Sequence, residues 1–315
     1  MDYRKLMSET IEPYVQKYEK TGYFNSGKAK IFYRTYIIDK NADSIVISHG
    51  FTENSEKYKE VVYRFLNEGF NVFIMDHRGH GRSSREVSDP GMVYVEKFDD
   101  YVTDFLEFEE KVVKTSEIGK KRFLYAHSMG SLVALGALEK NQEFFSKAVF
   151  STPMFLPITV VPKNVMYRYA SRRCNKGRDK EYVPFVHKGW PDKMRFDLVS
   201  AGSKEKYAYY YEKCVKNPEY QTFSASNGWM KAVLEGVKDI TRTEELEKIT
   251  VPVLVYEVKG DSRVRISAIR RFVRLVKTSR LEVVHGGTRH ELHTTKEEIF
   301  NPYMDTICEF YENTP

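Results

Sequence analysis

The sequence predicts an α/β protein: a mostly parallel central sheet flanked by helices, with a helical insertion. Three observations carry this. Short, continuous apolar runs alternate with helical repeats, a pattern that calls for right-handed crossovers and parallel strand pairing. One apolar run, residues 123–126, passes directly into an Ala/Leu-rich helical run at 129–135, with Ser128 between them and Ala126 and Gly130 two residues to either side. The alternation stops near residue 154 and resumes near 241, so an insertion interrupts an otherwise regular domain. The expected organisation is a core of residues 1–153 and 241–315 and a cap of residues 154–240.

The elements follow in order. Residues 1–20 are polar and form a helical or extended lead-in. Residues 22–38, rich in β-branched and aromatic side chains around Asn25-Ser26-Gly27, read as a hairpin at a sheet edge. Residues 44–48 and 71–75 are each built around a continuous apolar run, Ile45–Ile47 and Val72–Met75, as strands buried on both faces are. A helix at 58–67, closed by Gly69, joins them. Phe98, Tyr101, Val102, Phe105, Phe108 and Val112 keep helical spacing over residues 98–114. Residues 148–150 form a short strand stopped by Ser151-Thr152-Pro153. After the insertion come a strand at 251–256, a helix at 266–276, a strand at 281–284 and an amphipathic helix at 296–311.

Composition narrows the class. With 315 residues, 41% hydrophobic and 30% charged, the chain can bury a large core. The N-terminus lacks the apolar centre of a secretory signal, and no run of about 18 apolar residues occurs. Cys174, Cys214 and Cys308 are far apart and show neither metal spacing nor a disulfide framework. The expectation is a cytoplasmic protein with reduced thiols. A net charge of +6 without a nucleic-acid motif argues against nucleic-acid binding. Arg172, Arg173, Lys176, Arg178 and Lys180 cluster in the insertion. Their plain reading is a solvated face; the sharper one is contact with anionic headgroups or an acidic substrate group.

Ser128 stands where a strand turns sharply into a helix. Small neighbours let the turn form, and the positive helix end lies beside the hydroxyl. A serine nucleophile needs a base, and the base needs an orienting carboxylate. Such groups lie beyond the carboxyl ends of parallel strands. Among the histidines, His127 precedes the serine and points elsewhere, His49 braces a loop, and His77 and His80 lie in a polar turn. His285 abuts the last strand. His290 follows it past Gly286-Gly287, within reach of the turn, with His293 as its rival. Asp261 follows the strand run that continues through residues 253–258 and is the candidate acid; a helix cap is its structural alternative, and Glu257, inside that run, its competitor. The order Ser128, Asp261, His290 is one of the known triad orders. An oxyanion needs two backbone N–H donors. Met129 supplies one at the helix start, and Phe51, after Gly50, supplies the other.

The chain resembles the α/β-hydrolase group of lysophospholipases, monoacylglycerol lipases and related carboxylesterases, which includes the serine aminopeptidases. The resemblance rests on Ser48-His49-Gly50-Phe51-Thr52-Glu53-Asn54-Ser55 with Tyr58, on Asp76-His77-Arg78-Gly79-His80-Gly81-Arg82-Ser83, and on Phe98-Asp99-Asp100-Tyr101. It continues through Ala126-His127-Ser128-Met129-Gly130, Ser151-Thr152-Pro153-Met154, Asn217-Pro218-Glu219-Tyr220-Gln221 with Trp229, Gly260-Asp261, and Gly287-Thr288-Arg289-His290-Glu291. It implies the α/β-hydrolase fold with an inserted helical cap. The family's nucleophile, acid and base fall on Ser128, Asp261 and His290, and its oxyanion donors on Phe51 and Met129. The implied activity is hydrolysis of a small, lipid-like carboxylic ester through an acyl-enzyme, with no metal and no organic cofactor. Membrane contact, if any, is peripheral and through the cap; oligomeric state is left open. Met154, Phe155 and Trp229 are candidates for an acyl pocket, as are Leu156, Tyr167 and Tyr169; cap-to-core packing is the alternative for each. An aminopeptidase, an acyltransferase and a non-catalytic binding protein are the competing readings. The first ranks low because no acidic cluster in the cap offers to hold a free amine.

Overall fold

The computed structural model describes residues 2–313 except Glu117 and Lys120. Ten strands occur among the described residues: β1 Glu19–Ser26, β2 Ala29–Tyr36, β3 Ser44–Ser48, β4 Asn71–Met75, β5 Met92–Val93, β6 Arg122–His127, β7 Lys147–Ser151, β8 Ser224–Ala225, β9 Val253–Val258 and β10 Ser279–Val284. Eight of them make one sheet in the order β1-β2-β4-β3-β6-β7-β9-β10. The β1–β2 hairpin is antiparallel and turns at Gly27, whose φ of +55° suits glycine. Strand β2 meets β4 antiparallel, and every pairing from β4 to β10 is parallel. The hairpin lies at one edge, where β1 leaves most of its residues at least partly exposed.

Strands β3, β4, β7 and β9 are buried along their whole length, and β6 along all but its first residue. Alternate residues on them feed two separate cores. Val46, Phe73, Leu124, Phe150 and Val255 face one, against the helices Asp99–Phe108, Met129–Asn141 and Ile266–Leu275. Ile47, Ile74, Tyr125, Val149 and Leu254 face the other, against Lys59–Asn67 and Glu297–Glu312. This is why these strands read as unbroken apolar runs rather than alternating ones.

Residues between β7 and β9 contain the helices Lys163–Cys174, Lys204–Lys216 and Asn227–Ile240. The last has a double role. Trp229 at its start lines the cavity described below, while Ala232, Val233, Val237 and Ile240 join the core beside the Met129–Asn141 helix. Gly236 lets this helix pack against Phe98, since a Cβ there would fall 2.5 Å from the Phe98 ring. One pairing escaped the sequence reading. The two-residue strands β5 and β8 pair in parallel and tie the insertion to the segment after β4. Strands this short leave no periodic signature. No helix among the described residues is long and apolar enough to cross a membrane.

Candidate active site

The turn after β6 is tight. Ser128 sits at φ +51°, ψ −117°, a costly conformation for a non-glycine residue, and one that concentrates at functional sites. Its amide donates to Ser151 O at 3.1 Å, and its carbonyl accepts from Ser131 N and Met154 N, both at 3.0 Å. Glycine is required at position 130, because a Cβ would lie 2.2 Å from Ser48 O. At position 126 a methyl is accepted: the Ala126 side chain is fully buried in the first core, which accounts for alanine where the strict motif has glycine.

The loops after β9 and β10 bring two more side chains to this turn. His290 Nε2 lies 2.8 Å from Ser128 Oγ, and His290 Nδ1 lies 2.7 Å from Asp261 Oδ2. All three residues are buried. Thr152, also at positive φ, donates from its hydroxyl to His290 O at 2.9 Å and ties the histidine loop to the end of β7. Asp261 Oδ1 accepts from Arg263 N at 2.7 Å and Val264 N at 3.2 Å. The turn-capping role and the contact with His290 therefore coexist, one on each carboxylate oxygen. Burial alone would push the Asp261 carboxyl up. The His290 hydrogen bond and charge, with the two backbone donors, outweigh it and hold the group below the usual carboxylate range. Glu257 is engaged elsewhere, in a two-bond pair with Arg270.

Phe51 N–H and Met129 N–H, the two candidate oxyanion donors, have no hydrogen-bond partner among the described residues. The loop carrying Phe51 is held from behind. His49 Nδ1 donates to Gly50 O at 2.8 Å, and His49 Nε2 accepts the His77 N–H at 2.9 Å, so the ring must be neutral. His77 Nε2 reaches Ser48 Oγ at 3.0 Å, and that hydroxyl donates to Gly130 O at 3.0 Å. The loop and the serine turn thus share one hydrogen-bonded brace.

His49, His77 and His80 are fully buried with rings packed together. Burial lowers the pKa of all three, and their mutual repulsion adds to this for His77 and His80. The unfolded chain therefore takes up the extra protons. Their stabilising contribution is whole above the ordinary histidine pKa near 6.5 and is lost as pH falls below it. We expect the urea-unfolding free energy to fall more gently with acidification in His80→Gln than in the wild type. The difference is up to about 1.4 kcal/mol per pH unit. Equal slopes between pH 6.5 and 5 would remove this account.

A cavity of about 400 Å³ opens onto Ser128 and His290, a volume within the roughly 300–1,000 Å³ of small-molecule sites. Met154, Val183, Trp229, Met230 and Val264 give it an apolar wall, and Lys57, Tyr207, Tyr210 and Glu291 a polar one. Phe51 joins the apolar wall, its ring centroid 4.0 Å from that of Trp229. Of the candidate pocket residues, Met154 and Trp229 line this cavity and Phe155 does not. Phe155 stacks on Phe272, centroids 4.6 Å apart, and meets Phe150 edge-on inside the first core. Tyr167 and Tyr169 are exposed, and Leu156 packs against the core.

The sequence reading missed the buried charged cluster beside the serine. Glu53 accepts from Gly50 N at 2.7 Å, Tyr58 OH at 2.6 Å and Lys57 Nζ at 3.0 Å, and contacts His127 Nδ1 at 3.0 Å. Lys57 also donates to Glu291 at 2.8 Å. Burial opposes ionisation of Glu53, yet Lys57 and the two neighbouring histidines hold its carboxyl well below the usual range. His293 belongs here: it stacks on Tyr58 with its Nε2 3.0 Å from Glu53 Oε1, away from Ser128. Glu53, His127 and His293 lie close enough together to suggest a metal site. The Glu53 oxygens are already occupied, and the Lys57 ammonium supplies the positive charge an ion would bring. The i, i+4 spacing of Glu53 and Lys57 was the available signal; nothing local showed that both are buried.

A family model described as serine aminopeptidase, S33, matches residues 39–297. The chain is 25% identical over 303 residues to a probable lysophospholipase L2 of Haemophilus influenzae, with 90% of each chain covered. It is 26% identical over 307 residues to a proline iminopeptidase of Saccharolobus solfataricus, with 92% of each covered. A soluble variant of monoglyceride lipase from Saccharomyces cerevisiae, solved with a substrate analogue, matches with a TM-score of 0.71 at 16% identity, covering 93% of this chain and 95% of that one. With this family match and the mostly parallel sheet described above, the chain belongs to the serine aminopeptidase S33 family and has the α/β-hydrolase fold.

Proposed function

We propose that this protein is a serine hydrolase of carboxylic esters acting on single-chain lipid-like substrates such as lysophospholipids or monoacylglycerols. The observation that carries the reading is the Ser128–His290–Asp261 relay opening into a cavity with an apolar wall. In this reading His290 takes the Ser128 proton as the hydroxyl oxygen attacks the ester carbonyl. Asp261 keeps the imidazole in the tautomer whose Nε2 accepts. Phe51 N–H and Met129 N–H receive the oxyanion, each such donor being worth about 2.7–4 kcal/mol of barrier. His290 returns the proton to the leaving alcohol. Water then repeats the sequence on the acyl-enzyme and releases the acid. Met154 and Trp229 contact the acyl chain, and the polar wall faces the leaving alcohol.

A peptidase on the same triad needs an unpaired carboxylate to hold the substrate's amine. Glu291, the carboxylate lining the cavity, is taken by Lys57 and by Thr294 Oγ1. The readings separate on a substrate panel: lysophospholipids, monoacylglycerols, p-nitrophenyl esters of graded length, and aminoacyl p-nitroanilides. We expect turnover of the esters, highest for those with a medium or long acyl chain, and none of the anilides. Faster cleavage of prolyl p-nitroanilide than of any ester would overturn the proposal.

A further inference from the structure

The charge and exposed apolar surface of this chain are concentrated in one place. Residues 155–190 hold eight Lys or Arg against two Asp or Glu, an excess equal to the net +6 of the whole chain. The rest of the sequence is therefore electrically balanced. Of the exposed large apolar side chains among the described residues, Ile158, Val160, Val165, Tyr167, Tyr169 and Phe185 fall in this stretch, and only Tyr23 and Val215 lie elsewhere. Ile158, Val160 and Phe185 also line the cavity that ends at Ser128, so the apolar rim runs into the proposed acyl site.

The Lys163–Cys174 helix shows how the surface is made. Met166 and Ala170, four apart, are buried on its inner side, against the Asn227–Ile240 helix. Val165 and Tyr169, also four apart, are exposed, and Arg168 and Arg172, three residues after each of them, are exposed too. A helix with apolar and cationic groups both facing outward fits neither a protein core nor plain water. Arg173 and Arg178 share Glu181, while Lys163, Arg168, Arg172, Lys176 and Lys188 have no carboxylate partner among the described residues. Phe185 is 78% exposed at φ +64°, a costly conformation for an aromatic residue that no burial within the chain offsets.

We propose that this face of the insertion docks onto an anionic lipid surface, with the apolar rim seated among the acyl chains and the cations at the headgroups. A monoacyl lipid could then pass from the surface into the cavity without crossing water. Apolar contact and cationic attraction are the two components of interfacial binding, and aromatic rings are favoured at that boundary. Each cation at an anionic leaflet contributes about fivefold to partitioning. The inference rests on the ester-hydrolase reading only for the identity of what enters the cavity.

The test is flotation with vesicles of phosphatidylcholine alone or mixed with phosphatidylglycerol, using full-length Ser128→Ala so that lipid is not consumed. We expect binding to the mixed vesicles, little to phosphatidylcholine alone, and loss of binding in high salt. Arg172→Glu with Lys176→Glu should cut partitioning by at least about tenfold, and Val165→Asp with Tyr169→Asp should do the same. In the active background both double variants should hydrolyse a water-soluble short-chain ester at the wild-type rate. Equal binding to both vesicle types, or partitioning unmoved by either pair, overturns the proposal. So does a dimer, seen by light scattering, that these substitutions dissociate in a protein that ignores vesicles. Docking without hydrolysis of any ester would sink the ester-hydrolase reading alone, and hydrolysis without docking would sink only this one.

Discussion

Ser128→Ala is expected to lower kcat for p-nitrophenyl ester hydrolysis by about 10⁶-fold, roughly 8 kcal/mol of barrier. The size follows from the kind of loss. Without the hydroxyl no acyl-enzyme can form, and what remains is substrate binding and the proposed oxyanion donors acting on water, which leaves about 10³–10⁴ over the uncatalysed rate. The fold should survive, because the Ser128 bonds that shape this turn are made by its backbone, and among the described residues its side chain hydrogen-bonds only to His290. Circular dichroism and the unfolding midpoint should match the wild type to within about 1 kcal/mol. A variant that is folded and retains more than a small percentage of wild-type turnover would remove Ser128 from the reaction.

His290→Ala and His293→Ala should separate sharply, although the residues are three apart. His290→Ala is expected to lose about 10⁴-fold or more in kcat and about 1–2 kcal/mol of stability, since it leaves the buried Asp261 Oδ2 without its partner. His293→Ala should keep kcat within about tenfold and lose about 2 kcal/mol of stability. It vacates a fully packed site against Tyr58 and removes a neighbour of the buried Glu53 charge. The acids make the matching pair. Asp261→Asn should cost about 10⁴-fold by turning the imidazole to the wrong tautomer, whereas Glu257→Gln should leave kinetics alone, because its partner is the largely exposed Arg270. Both pairs are read by steady-state kinetics beside thermal unfolding. Reversed histidine results would make His293 the base and require the loop after β10 to rearrange.

These contrasts mark where local information ended. The strands β3, β4, β6, β7 and β9 were visible as apolar runs because a strand covered on both faces leaves little room for polar side chains along its middle. Their ends located the loops, and the loops located Ser128, Asp261 and His290. The serine turn was visible because steric crowding there admits only small neighbours, and the 2.2 Å approach of Ser48 O to a Cβ at position 130 is that crowding measured. Phe155 and Met154 looked equivalent, as adjacent apolar residues after the same strand. Only the packing of the Ile266–Leu275 helix, which brings Phe272 onto Phe155, directs one inward and leaves the other at the cavity.

The sequence by itself determined the fold class, the strand ends and the residue types available at them, because burial and turn sterics act within a few residues. Tertiary structure decided the rest: which loop histidine meets Ser128, where Phe155 goes, and that Glu53, Lys57, His127, Glu291 and His293 form one buried charged cluster. Lys57 and Glu291 are 234 positions apart, yet 2.8 Å separates their charges. Charge pairing in a low-dielectric interior is strong only over such short distances, and the distances exist only once the sheet has brought its strand ends together.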